Sequence, residues 1–373
     1  MIIKYPLFKT NVPKDVHLAL QPVLDSGFIT EGPVAKEFET KFQEWLGNPH
    51  TALVNSGTSA LTIALRLANV GHGDEVISTP MTCLATNEPI HAVGGKVVWC
   101  DIDPETGCMD PSKIEALITP KTKAVMFVDW AGTPCEVDAI NEVAHRHGLK
   151  TIQDAAHSIG ALYKGKKVGT IADLTCFSFQ AIKHMTTVDG GALACATKED
   201  YDRAVLLRWF GCKRGHNASP IKWTGDVLEY GYKMHMNDVN AAIGIESLKI
   251  IDKTVAAHKA NGTLLTSLIS ELTSVQALKV PDYIESSHWI FTIKLNGAEH
   301  RKMVSEDLTA NGIANNIVHT RNDEYTLFKE SRTGNLPGMD DFGDRMLNIP
   351  CGWWLDSDDI CYIFEHLREA VGE

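Results

Sequence analysis

Three short segments bring together residue types that bind anions, stabilise a buried cation and supply a nucleophilic amine. In Asn55-Ser56-Gly57-Thr58-Ser59 a strand pattern runs through a small, hydroxyl-rich turn into a helix start. N–H groups in a first helical turn have no intrahelical acceptor and lie at the positive end of the dipole. Thr58 and Ser59 are therefore placed to hold a phosphate; an ordinary N-cap accounts for the same residues. In Gln153-Asp154-Ala155-Ala156-His157 a carboxylate stands at the end of a buried strand pattern. Such a group needs a cation or hydrogen bonds to stay ionised. A protonated ring nitrogen of a bound cofactor is one suitable partner, and helix capping is another use for Asp154. His157 either packs against such a ring or is a plain buried histidine. In the run from Phe177 to His184 a strand delivers Ser178 and a loop delivers Lys183, with Asp189-Gly190-Gly191 following. A solvated lysine has a pKa near ~10.4 and is only roughly 0.04% neutral at pH 7. Burial or a neighbouring cation makes its amine available. Taken alone, Lys183 also fits a solvated loop lysine.

These segments need a frame, and the intervening sequence predicts one. Thr51–Asn55 reads as a strand, and a helix follows with Leu61, Ala64, Leu65 and Ala68 on one face and Gly71 at its stop. The beat repeats: strand over 74–79, helix over 84–93, strand over 96–100, helix over 111–117, strand over 124–130, helix over 138–147, strand over 150–154. This is the βαβ rhythm of a parallel sheet covered on both faces. Strands over 175–179 and 191–195 come next. A long helix over 237–272, a strand over 288–294 and a final helix over 357–371 complete the chain. We expect a large domain over 1–250 and a smaller α+β domain over 251–373. The three chemical segments all fall at C-terminal strand ends, where ligands bind in open α/β sheets.

The bulk properties narrow the function classes. The 373 residues are 44% apolar and 22% charged, an ordinary folded mix that argues against disorder. A net charge of −12 gives a nucleic-acid role no electrostatic support. No run approaches the ~18 apolar residues of a membrane span, and Met1–Pro6 lacks a signal-peptide layout. Nine cysteines without C-x-x-C or zinc-finger spacing read as reduced thiols, with no metal site expected. The expected compartment is the cytoplasm.

The order and spacing of the three segments, with 29 residues from Asp154 to Lys183, resemble the DegT/DnrJ/EryC1/StrS family of sugar aminotransferases. Gly27-Phe28-Ile29-Thr30-Glu31-Gly32-Pro33 and Phe38-Glu39 look like its N-terminal segment, so the resemblance covers nearly the whole chain. It implies the fold-type I architecture of aspartate aminotransferase and the cofactor pyridoxal 5′-phosphate (PLP). By the same resemblance Lys183 carries PLP as a Schiff base, Asp154 pairs the ring nitrogen, and Thr58, Ser59 and Ser178 hold the phosphate. It further implies an amino donor, usually glutamate, a keto or aldehyde sugar as acceptor, and a homodimer with shared sites. Family members acting as dehydratases replace the lysine with histidine; here the lysine is present and His184 merely follows it. A PLP-dependent lyase or dehydratase, and a non-enzymatic regulator on the same fold, are the alternative readings.

The chain departs from the family pattern at several positions. Cys83 stands where an aromatic residue usually stacks on the PLP ring, with Met81 as a nearby substitute. Lys233 occupies the place of an asparagine that reaches the partner subunit's phosphate, and a lysine supplies a full charge there. His235 replaces an arginine. Around His319-Thr320-Arg321-Asn322-Asp323 and Pro350-Cys351-Gly352-Trp353-Trp354 the sequence is unlike many nucleotide-sugar enzymes. A branch that makes 8-amino derivatives of 3-deoxy-octulosonate for lipopolysaccharide is a similar alternative. His319, Arg321 and Lys213-Arg214 are the candidate substrate contacts, the cations suited to a carboxylate or phosphate, although solvated loop positions explain them too. Trp353 and Trp354 are either core anchors or a sugar platform.

Overall fold

The computed structural model describes residues 3–212, 226–331 and 335–373. Among them, seven strands make the main sheet: β1 (Thr51–Val54), β2 (Glu75–Ser78), β3 (Lys96–Trp99), β4 (Thr122–Val128), β5 (Lys150–Asp154), β6 (Leu174–Ser178) and β7 (Gly191–Cys195). Their order is β1-β7-β6-β5-β4-β2-β3. Strands β3, β2, β4, β5 and β6 run parallel, and β7 is antiparallel to both β1 and β6. The strands are short, apolar runs buried almost throughout, as a sheet covered on both faces requires.

Helices α1 (Val16–Ser26) and α2 (Pro33–Leu46) precede the sheet. Helices α3 (Gly57–Leu67), α4 (Leu84–Ala92) and α5 (Val137–Arg146) cross between its strands, and α6 (Lys198–Leu207) follows β7. The helix expected over 111–117 is instead two short 3-10 turns, Pro111–Lys113 and Glu115–Leu117. Only Ile114 is buried there, so no apolar stripe holds a full helix to the sheet. The long helix expected over 237–272 is α7 (Asp238–Leu248) and α8 (Ile251–Ile269). The helix is interrupted by a turn at Lys249 and Ile250, the latter stretched to φ −114° and ψ −3°. That break lets α7 pack on α1 and α2, while Val255 of α8 turns to lie against Gly160.

The C-terminal part has its own core. Gln276–Ala277, β8 (Phe291–Lys294) and β9 (Met346–Ile349) form a small antiparallel sheet. Helices α8, α9 (Ala298–Ala310) and α11 (Ser357–Ala370) cover it, burying Leu265, Ile293, Leu308, Leu347 and Ile363; α10 (Pro337–Arg345) leads into β9. Strand β8 starts at Phe291 rather than His288, because His288 takes φ +47°, which no extended strand accepts. Trp354 packs against this core, and Trp353 ties the chain's two ends by donating its Nε1–H to Lys9 O at 3.2 Å.

A single carboxylate ties the N-terminal segment down. Asp238, buried at the start of α7, accepts the N–H groups of Gly32, Val34 and Ala35 at 2.7, 3.2 and 2.9 Å. Those donors are orphans of the first turn of α2, which lacks a side-chain cap of its own. Asp238→Ala is expected to lower stability by about 3 kcal/mol through three unpaired N–H groups, with Asp238→Asn intermediate. Chemical denaturation of the three chains side by side checks this ranking.

Candidate active site

The C-terminal ends of β4, β5 and β6 meet at one edge of the sheet, and the segments leaving them carry Asp129, Asp154, His157, Ser178 and Lys183. Asp154 is the last residue of β5 and is buried. Thr86 Oγ1 donates to its Oδ2 at 2.7 Å and Ala156 N–H donates to Oδ1 at 3.0 Å. Burial raises its pKa above the ordinary carboxylate value, while Thr86, Ala156 and the charge of Lys183 pull it down. Lys183 follows β6 in a turn closed by its own N–H to Gln180 O at 2.9 Å. Burial pushes its amine down to about 8, against the attraction of Asp154 and Cys83. At pH 7 that leaves about a tenth of the amine neutral, against roughly 0.04% for a solvated lysine.

One wall of the site is aromatic. Lys183 Nζ lies 3.7 Å from the ring centroid of Trp289, and Trp289 Nε1–H donates to Ile182 O at 2.9 Å. His157 stacks on Trp289 at 3.9 Å and 11°, and His319 lies near-parallel beside the pair, 5.7 Å from His157 and 6.4 Å from Trp289. Trp130 meets both imidazoles edge-on. Burial holds His157 well below the usual histidine range and His319 down at about 4, with Lys183 adding to both shifts. Their buried Nδ1 and Nε2 atoms, respectively, have no hydrogen-bond partner among the described residues. Ala131, His288 and Val318 take φ of +57°, +47° and +60°. Each adjoins a member of the wall (Trp130, Trp289 and His319), so backbone strain is concentrated where these rings are aimed.

The opposite end is a small cup. Ser56, rather than Thr58 or Ser59, is the N-cap of α3, accepting Ser59 N–H at 3.0 Å. The Ser59 hydroxyl is held by Asn55 Oδ1 at 2.6 Å. A Cβ on Gly57 would come within 2.9 Å of Ser178 Cβ, so glycine is what lets the helix start close on Ser178. The cup therefore joins the first-turn N–H groups of Gly57 and Thr58 to the Ser178 hydroxyl.

The other candidate residues fall in different places. Cys83 stands at the head of α4, partly open and near enough to Lys183 for their charges to interact, whereas Met81 is buried in the main core. Lys233 is exposed, on a strand-like stretch bridged to Trp209. His235 is buried edge-on against Trp209. Arg321 is already neutralised: Asp323 takes two of its N–H groups at 2.8 and 2.7 Å, and Asp340 a third at 2.5 Å. An anionic substrate would reach Arg321 only in competition with these two carboxylates. Lys213 and Arg214 lie outside the described residues.

Sequence reasoning missed three residues. Asp129 follows β4, fully buried, and accepts Gln153 Nε2–H, Ser158 Oγ–H and Cys135 N–H at 2.8, 2.6 and 3.0 Å. Burial raises its pKa to about 6; its place at a buried strand end, like that of Asp154, was the available signal. Thr86 and Trp289 reach the site through tertiary packing, and nothing local in the sequence marks them.

The family model described as the DegT/DnrJ/EryC1/StrS aminotransferase family matches residues 12–368. The chain belongs to that family. It is 32% identical to the spore coat polysaccharide biosynthesis protein SpsC of Bacillus subtilis, over 93% of this chain and 92% of SpsC. The solved sugar aminotransferase CalS13 from Micromonospora echinospora shares 34% identity with a TM-score of 0.92, covering 98% of this chain and 99% of that one. The PLP form of Spr1654 from Streptococcus pneumoniae shares 28% identity at a TM-score of 0.90, covering 98% of both chains. This DegT/DnrJ/EryC1/StrS protein is a PLP-dependent sugar aminotransferase of fold-type I. No described helix is long and apolar enough to cross a membrane.

The residues present fit PLP. The Gly57–Ser178 cup suits a phosphate, the buried Asp154 carboxylate suits a protonated ring nitrogen, and the softened Lys183 amine suits an aldehyde. The histidines give the family member a pH signature. In the folded chain His258, His288 and His319 are each held near 4 by burial, whereas unfolded histidines titrate near 6.5. Between those values the unfolded state binds more protons, so stability falls as pH drops from about 6.5 to 4. Each group contributes up to roughly 1.4 kcal/mol per pH unit. Denaturation midpoints recorded across that window should fall steeply, and they should fall less in a His258→Gln, His319→Gln chain.

Proposed function

We propose that this enzyme moves the amino group of L-glutamate to a keto or aldehyde sugar, with Lys183 as the amine that bonds PLP and carries the proton. The observation behind this reading is the half-buried Lys183, whose amine interacts with Asp154, lies 3.7 Å from the Trp289 ring and is lowered to about 8. When bound, PLP supplies an aldehyde that condenses with amines and a protonated ring that withdraws electrons. Asp154 holds the proton at the ring nitrogen, with Thr86 and Ala156 keeping its carboxylate oriented and ionised. Lys183 Nζ would take the proton from the donor's α-carbon and return it two atoms along, to the cofactor carbon across the intervening nitrogen. Thr58, Ser59 and Ser178 hold the phosphate, Cys83 flanks the ring, and the neutral His157 packs on it. The stacked wall of His157, Trp289 and His319 keeps water from the reacting carbon, with His319 toward the sugar.

Lys233 reaches the phosphate of the partner subunit in a homodimer; its exposure supports this. Arg214 is proposed as the anion contact for the acceptor, since Arg321 is held by Asp323 and Asp340. The acceptor is an oxidised 3-deoxy-octulosonate or a nucleotide-linked ketosugar, used for cell-surface polysaccharide or lipopolysaccharide, and the reaction takes place in the cytoplasm. The large and small domains divide near residue 250, where α7 gives way to α8.

Mixing the PLP-loaded enzyme with single amino acids tests the first half. Glutamate is expected to convert the cofactor to pyridoxamine phosphate, and a panel of both acceptor classes should then restore it. No conversion with any amino acid contradicts transamination. Lys183→Ala is expected to lose about 10³-fold or more in turnover. Lys233→Ala should weaken PLP retention without dissociating the dimer, checked by dialysis and sedimentation.

A further inference from the structure

Trp289 is the member of the aromatic wall whose ring lies directly against the reacting amine. Three of its contacts converge on the lysine. Its indole face lies 3.7 Å from Lys183 Nζ, its Nε1–H is bonded to the carbonyl of Ile182 at 2.9 Å, and His157 stacks on it at 3.9 Å. Phe8 stacks on it as well, at 4.8 Å and 25°. The ring is therefore clamped. Its position is also specified from the loop side: a Cβ on Gly132 would lie 2.8 Å from Trp289 N, and the adjacent His288 holds a left-handed backbone.

We propose that Trp289 is a positioning residue for the transamination: its indole face receives the Lys183 ammonium whenever the lysine is not bonded to PLP, and its Nε1–H fixes the turn that carries the lysine. This rests on Lys183 being the amine that bonds the cofactor. A lysine displaced by the donor must stay near the reacting carbon, hold a proton and remain able to give it up. An ion pair tight enough to hold the ammonium would also resist that release. A π face attracts the ammonium while leaving all three N–H groups free to point elsewhere. Asp154 from β5, Cys83 at the head of α4, His157, His319 and the neighbouring His184 also face the amine. The three imidazoles are neutral at pH 7, so Asp154, Cys83 and the indole are the attractive partners of a protonated Lys183.

The pH dependence of PLP uptake by the full-length apo chain reads this directly, because uptake requires the neutral amine. The titration of PLP itself is common to all variants, so differences between midpoints belong to the protein. Trp289→Leu removes the π face, and its midpoint is expected to fall by roughly one pH unit. Trp289→Phe keeps a π face and should stay within a few tenths of a unit of the parent. Fluorinated tryptophans inserted at position 289 keep the shape and weaken the ring's attraction stepwise, so the midpoint should fall with each added fluorine even if the leucine chain does not fold. A structural role alone would change thermal stability and leave the midpoints together. A flat fluorine series overturns the proposal. If instead Lys183→Ala takes up PLP with the parent's midpoint, it is the assignment of Lys183 that fails.

Discussion

Withdrawing the Asp154 carboxylate fully and the Lys183 amine partly from water at the same sheet edge costs free energy that neither group recovers alone, and the surrounding structure is arranged around that cost. Asp154 ends β5 where β4 and β6 flank it, so its backbone is fixed by both ladders. Its two oxygens take donors from the head of α4 and from its own following turn. Lys183 is less well provided for. Its attraction to Asp154 is outweighed by desolvation, which is why its amine is softened to about 8. A residue that is poorly solvated and incompletely paired is what amine chemistry at neutral pH requires.

The C-terminal part contributes to this edge rather than standing apart from it. The 287–289 segment, just ahead of β8, leans on the loop after β4. Ser287 N–H donates to Gly132 O at 2.9 Å, and Ser287 Oγ–H donates to His157 O at 3.0 Å. Gly132 has φ +103° and no room for a Cβ, so the two backbones can approach only with glycine there. Asn322 makes a second tie, donating to Thr82 O at 2.8 Å and accepting from Asn87 at 2.9 Å. These contacts bring Trp289 and His319 over the strand ends. They also place three strained, left-handed residues beside the wall they build.

Strand positions were legible in the sequence because the core strands are short apolar runs separated by helical periodicity, and that signal is local. The same locality marked Asn55–Ser59, Asp154, Ser178 and Lys183, each at a strand end. It failed where geometry depends on distant packing. The 111–117 segment has helical residues but too little apolar face to hold a helix. The break at Ile250 reflects where α7 and α8 must each pack, which the continuous pattern over 237–272 conceals. The sequence could not show Asp340, nineteen residues on, folding back onto Arg321. Trp289 lay in a stretch that read as a strand. Only the left-handed turn at His288 aims it at Lys183, and no periodicity encodes such a turn.

The central claim is that Lys183, among all the lysines of the chain, is the amine bonded to PLP. Reducing the PLP-loaded enzyme with borohydride freezes that bond, and peptide mass mapping then locates the phosphopyridoxyl group. The account predicts stoichiometric label on the peptide containing Lys183. Label on any other lysine, with Lys183 unmodified, would contradict it.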